Sequence, residues 1–168
     1  MLQVRALTKS FRGLTAVRDV SFDVANNEIV ALIGPNGAGK TTCFNMISGA
    51  LRPTAGSVML GGEIIAGLPP EQIAMKGLIR TFQIVRPMRT MTVLENAMIG
   101  AFARTADVSQ AMDTASRSIA RVGLQNKANA PAGSLTLPDR KMLELARAIA
   151  AGPRLLLPRV SPAAARCR

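Results

Sequence analysis

Apolar and polar residues alternate near the start of the chain. In "AVRDVSFDV", Val17, Phe22 and Val24 are set among polar positions, and Asn26-Asn27 follows as a turn signal, so a strand and a reversal are predicted. "EIVALIG" breaks the alternation with an unbroken apolar run from Ile29 through Leu32, extended by Ile33. Such a run predicts a strand buried on both faces, as in a parallel sheet. A helix is expected to follow over residues 40–50, and "SVMLGGEII" predicts a hairpin about Gly61-Gly62. Over residues 91–122 the apolar spacing becomes helical, as in Val93, Ala97 and Met98, then Ile119 and Val122. "TLPDRKMLELARAIA" predicts a further helix. Thr136 is its N-cap, Asp139 closes a capping box, Pro138 sits in the first turn, and Met142, Leu145, Ala146, Ile149 and Ala150 form the apolar stripe. The leucines of "RLLL" begin one more buried strand, which Pro158 and Arg159 interrupt.

Composition narrows the class. At 168 residues the chain is one domain or most of one, and 48% hydrophobic residues exclude disorder as a description of the whole. With 3% aromatics and neither Trp nor Tyr, the core must be aliphatic. No apolar run is long enough to cross a bilayer, and "MLQVRALTKS" lacks the apolar region of a signal peptide, so folding in the cytoplasm is expected. Cys43 and Cys167 are unclustered and match neither a disulfide framework nor a zinc site. The net charge is +11, but Arg154, Arg159, Arg166 and Arg168 all follow the last acid, Glu144, and the other basic residues are spread singly. That distribution reads as solvated surface or as affinity for phosphate-rich ligands, and shows no basic stripe for nucleic acid.

The strongest chemical signal is "GPNGAGKTT": Gly34, Pro35, Asn36, Gly37, Ala38, Gly39, Lys40, Thr41 and Thr42. It satisfies G-x-x-x-x-G-K-[ST] between a predicted strand and a predicted helix. Glycines let the backbone curl with its N–H groups inward, and the helix N-terminus adds partial positive charge. Lys40 is expected to reach the β- and γ-phosphates of a nucleoside triphosphate, and the Thr41 hydroxyl to bind Mg²⁺.

The stretch "GPNGAGKTTCFNMISGALRPTAGSVMLGGEII" resembles the opening half of an ABC-transporter nucleotide-binding domain. "GLIRTFQIVRPMRTMTVLENAMIG" is similar to the ATP-binding subunits of branched-chain amino-acid and urea-type importers. The resemblance implies an α/β P-loop NTPase fold over residues 1–157, with an N-terminal antiparallel β subdomain and a helical subdomain over about residues 84–133. It implies ATP and Mg²⁺ as cofactors, transmembrane permease subunits and a second ATP-binding subunit as partners, and a peripheral place on the cytoplasmic face of the membrane. Residue by residue, Phe11 stands where the family stacks an aromatic on adenine, and Gln83 where a glutamine reaches Mg²⁺ and the attacking water.

Two places depart from the family pattern. In the signature ahead of the last helix, Leu135 and Thr136 stand for Leu-Ser, but Pro138 replaces a glycine and Asp139 a glutamine. Proline has no N–H to offer a phosphate, and Asp139 needs a cation to screen it, with Arg140 and Lys141 as candidates. After "RLLL" the family continues with an apolar residue and then Asp-Glu, which hold the Mg²⁺ shell and polarise the attacking water. Here Pro158, Arg159 and Val160 follow, and the chain has no His for the family's γ-phosphate sensor. Residues 158–168 therefore read as an aberrant tail produced by truncation or frameshift, and the domain as incomplete at its C-terminus. Three readings stay open: an importer ATPase subunit, a nucleotide-binding module without turnover, and a soluble ABC protein acting on DNA or the ribosome.

Overall fold

The computed structural model describes residues 1–81 and 87–158, arranged as two compact units, Met1–Leu78 and Ile79–Arg168. Gln83, Arg159, Val160 and Cys167 lie outside the described residues.

In the first unit the alternating N-terminal sequence forms a hairpin, β1 (Leu2–Phe11) and β2 (Leu14–Val24). β3 (Ala55–Leu60) pairs with the other edge of β1, and β4 (Glu63–Ile64) follows, giving the order β2-β1-β3-β4 with antiparallel neighbours. Leu2 and Val4 face inward by alternation. The register then shifts between Val4 and Leu7, where Ala6 takes φ 48°, so Leu7 returns to the same buried face. Val17, Val24, Val58 and Leu60 complete that apolar side of the sheet. The hairpin predicted about Gly61-Gly62 is the β3–β4 turn, with both glycines at positive φ. Two helices add to the buried residues: Met46 and Ile47 from α1 (Lys40–Ile47), and Ile73 from α2 (Pro70–Met75). α1 stops short of the predicted end because the Ser48 hydroxyl donates to Phe44 O at 2.8 Å and Gly49 turns to φ 76°.

The apolar run at residues 29–33 corrects its prediction. It forms no strand, and Ile29 and Ile33 are 98% and 90% exposed. A strand buried on both faces needs a ladder on its edges, and among the described residues none pairs with this one.

A two-stranded sheet joins β5 (Leu78–Arg80), which enters the second unit at Ile79, to β6 (Leu155–Leu157). The strand expected from "RLLL" is thus present, though half-buried. Three helices form the rest: α3 (Val93–Ala101), α4 (Val108–Arg121) and α5 (Leu137–Ala150). Val93, Ala97, Ala115, Ile119, Leu143 and Ala146 are buried in one cluster between them. α3 and α5 cross so closely that a Cβ on Gly100 would lie 2.1 Å from the Arg147 carbonyl oxygen. This crossing turns α5 away from its predicted stripe. Leu143, Ala146, Ala148 and Ala150 are buried, while Leu145 and Ile149 are half-buried and Met142 is exposed.

Candidate functional site

The phosphate loop is seated by β2. A Cβ on Gly39 would meet Ala16 O at 2.4 Å and Val17 Cγ2 at 2.9 Å, and Gly39 has φ 79°. Only glycine supplies both the conformation and the space. α1 begins at Lys40, with Gly39 as its N-cap and no acid in the first turn, so its positive end is not neutralised from within. The Cys43 N–H closes the first turn onto Gly39 O at 2.9 Å, and the Ala38 N–H reaches Pro35 O at 3.3 Å. Lys40 folds over the loop, its Nζ donating to Gly34 O at 2.6 Å and Pro35 O at 2.5 Å. An ammonium has three donors, so a third is left for an anion. Residues 34–38 are exposed, and Thr41 and Thr42 follow on the first turn of α1. Behind the loop, Cys43 is buried beside Val17, Val20 and Leu32, and burial pushes its thiol pKa up, so it stays protonated.

This geometry fits a nucleotide's phosphate tail. The loop offers an exposed backbone, open space beside Gly37, a helix N-terminus and a lysine within reach. Gly34, Pro35, Asn36, Gly37 and Ala38 lie on the exposed loop, Gly39 caps α1, and Lys40, Thr41 and Thr42 open that helix. The described residues contain no group of three or more His, Cys, Asp or Glu able to hold a metal.

Phe11 ends β1, beside the two-residue turn of Arg12 and Gly13 at φ 42° and 91°. Its ring is 44% exposed and carries Lys9 Nζ at 5.1 Å from its centroid. Because Ala16 follows a few residues along the same hairpin, one element positions both this ring and the seat of the phosphate loop. Nothing in the alternation of β1 marked Lys9 as more than a surface residue.

At the start of α5, Thr136 is the N-cap as expected, its Oγ1 accepting from the Asp139 N–H at 3.4 Å. The capping box does not close on the Thr136 backbone. Instead the Asp139 carboxylate accepts from the Thr136 hydroxyl at 2.7 Å and from Lys127 Nζ at 2.6 Å. Both bonds, that of Lys127 foremost, hold its pKa below the usual carboxylate range. Lys127, twelve residues away, is therefore the screening cation. Arg140 instead donates to Gly133 O at 3.1 Å.

No helix of the described residues is long and apolar enough to cross a membrane. The sequence pattern described as ABC transporter matches residues 17–158. The high-affinity branched-chain amino acid transport ATP-binding protein LivG of Salmonella typhimurium (strain LT2) is 41% identical over 174 aligned positions, covering 94% of this chain and 68% of that protein. BraF of Pseudomonas aeruginosa, described in the same words, is 40% identical with the same coverage. Among solved structures, the ADP conformation of MJ1267, an ATP-binding cassette of an ABC transporter, superposes with a TM-score of 0.81 at 28% identity, covering 92% of this chain and 66% of that one. The chain thus spans about two thirds of the length of the proteins it matches. A phosphate loop seated on an antiparallel sheet, together with likeness of this extent, leaves one conclusion: this chain belongs to the ABC transporter family.

Proposed function

We propose that this chain binds Mg·ATP and acts as the ATP-binding subunit of an importer for branched-chain amino acids or a similar small solute. The carrying observation is the seat of the phosphate loop, with Gly39 pressed on β2 and Lys40 poised over the loop. The names of LivG and BraF support the class of solute. In this reading the backbone N–H groups of residues 34–42, which all but Pro35 carry, and the α1 N-terminus bind the phosphates, and Lys40 neutralises the β- and γ-oxygens. Thr41 and Gln83 hold Mg²⁺, and Phe11 stacks on adenine. Bound Mg²⁺ would supply charge neutralisation at the transferring phosphoryl group. Transmembrane permease subunits and a second ATP-binding subunit are the partners, with the chain peripheral on the cytoplasmic face of the membrane.

A reading without turnover has its own support. After β6, Pro158 stands at the apolar position of the resembled family, and Arg159 and Val160 stand at the positions of its Asp-Glu pair. Arginine stays protonated and cannot serve as a base. Calorimetric titration with Mg·ATP tests binding: saturable uptake that weakens markedly in Lys40→Ala is expected, and equal affinity in both proteins overturns the proposal. Phosphate release then separates the readings, since Lys40-dependent release identifies an ATPase and its absence identifies a binding module.

A further inference from the structure

Lys9 makes a contact that phosphate binding does not use. It lies on β1, half-buried, with its ammonium 5.1 Å from the centre of the Phe11 ring. The same Nζ donates to the Arg52 carbonyl at 2.7 Å. Arg52 lies on the segment that leaves α1, the helix that begins at Lys40. Two more bonds fasten that segment to β1: Thr54 N–H to Thr8 O at 2.9 Å, and Ser10 N–H to Thr54 Oγ1 at 3.1 Å. Lys9 is therefore a strut between the aromatic ring and the chain leaving the phosphate-binding helix.

The ring needs one. Phe11 sits at the tip of a hairpin and is 44% exposed, and its cross-strand partner Leu14 is itself 72% exposed and covers little of the ring. A cation over an aromatic face draws on the ring quadrupole. It holds the ring and leaves its exposed part more electron-poor, which suits stacking on an electron-rich base.

We propose that Lys9 is a positioning residue for the base of the bound nucleotide, acting through Phe11 and selectively strengthening affinity for the adenine part over the triphosphate part. The inference rests on reading Phe11 as the stacking residue.

The test compares the affinity of the full chain for Mg·ATP and for Mg·tripolyphosphate in four proteins: the parent, Lys9→Met, Lys9→Arg and Phe11→Ala. Affinity is fitted separately from binding capacity, so a partly unfolded variant lowers only the second. Lys9→Met is expected to weaken Mg·ATP by about two- to five-fold, the worth of an exposed cation–π contact. Tripolyphosphate affinity should be unchanged, and Lys9→Arg should retain the parent's ratio. Equal losses for both ligands would make Lys9 a phosphate-binding charge and overturn the proposal. A selective loss in Phe11→Ala with none in Lys9→Met overturns it while sparing the stacking role. No selective loss in Phe11→Ala removes the stacking role itself, and the proposal with it.

Discussion

Gly39 and Lys40 are adjacent but should fail differently. Among the described residues Lys40 bonds to two exposed carbonyls of its own loop, so it contributes little to the fold and much to an incoming anion. Lys40→Ala should lower Mg·ATP affinity about 10- to 100-fold, the ~1.5–3 kcal/mol of a lost charge-assisted hydrogen bond. The ligand-free melting temperature should stay within about a degree or two, since exposed substitutions rarely cost more than ~0.5 kcal/mol. Gly39→Ala instead adds a Cβ 2.4 Å from a β2 carbonyl at a positive φ. It should lose nucleotide binding and also melt several degrees lower, a difference that thermal unfolding without ligand resolves. Of these two roles, the sequence motif announces the lysine's chemistry. The reason for the glycine, contact with Ala16, needs the sheet in place.

At the scale of elements, the helix starts of the second unit are held by local side-chain bonds. At α3, Thr92 Oγ1 accepts from the Glu95 N–H at 3.1 Å while Glu95 Oε2 accepts from the Thr92 N–H at 2.7 Å, a complete capping box. Thr92→Ala should cost about 1 kcal/mol in urea unfolding. Just after it, the fully buried Asn96 accepts from Met88 N–H at 2.9 Å and donates to Met88 O at 3.0 Å and Thr92 O at 2.8 Å, locking the chain ahead of the helix. Asn96→Leu should cost more than the cap, because it removes several hydrogen bonds made by one fully buried side chain, each worth ~1 kcal/mol. The carboxylates at both helix starts are held below their usual pKa: Glu95 by the Thr92 backbone N–H and then its hydroxyl, Asp139 by Lys127 and then Thr136. A carboxylate whose folded pKa is depressed stabilises fully above its unfolded value, and that contribution is lost as pH falls through the folded one. Stability should therefore be level near neutrality and decline below about pH 4. Asp139→Asn should flatten part of that decline, as measured by urea midpoints across pH.

At the scale of the molecule, the separation of buried from exposed apolar residues gives the widest contrast. Leu143 is fully buried among α3, α4 and α5, and Leu143→Ala should cost about 2–5 kcal/mol. Ile33 has an equally apolar side chain but is 90% exposed. Ile33→Ser should cost less than ~0.5 kcal/mol, and a loss as large as that at Leu143 would show the run at residues 29–33 to be buried after all. An exposed run of this kind is also a surface prone to association.

The sequence alone determined whatever depends on neighbours along the chain. The strand of "AVRDVSFDV", the Gly61-Gly62 turn, the Thr136 cap and the Pro138 start are set by φ preferences and side-chain periodicity, and these stand in the structure. Tertiary structure decided what depends on residues far apart. An apolar run becomes a buried strand only if a ladder lies beside it, so residues 29–33 stay open. The face a helix buries depends on what crosses it, so Gly100 against Arg147 put Leu143 inward and Met142 outward. The partner of a charge is set by distance in space, so Lys127 screens Asp139 and Lys9 covers Phe11. Periodicity is a local property and survives without a fold, whereas burial and pairing exist only once distant segments meet.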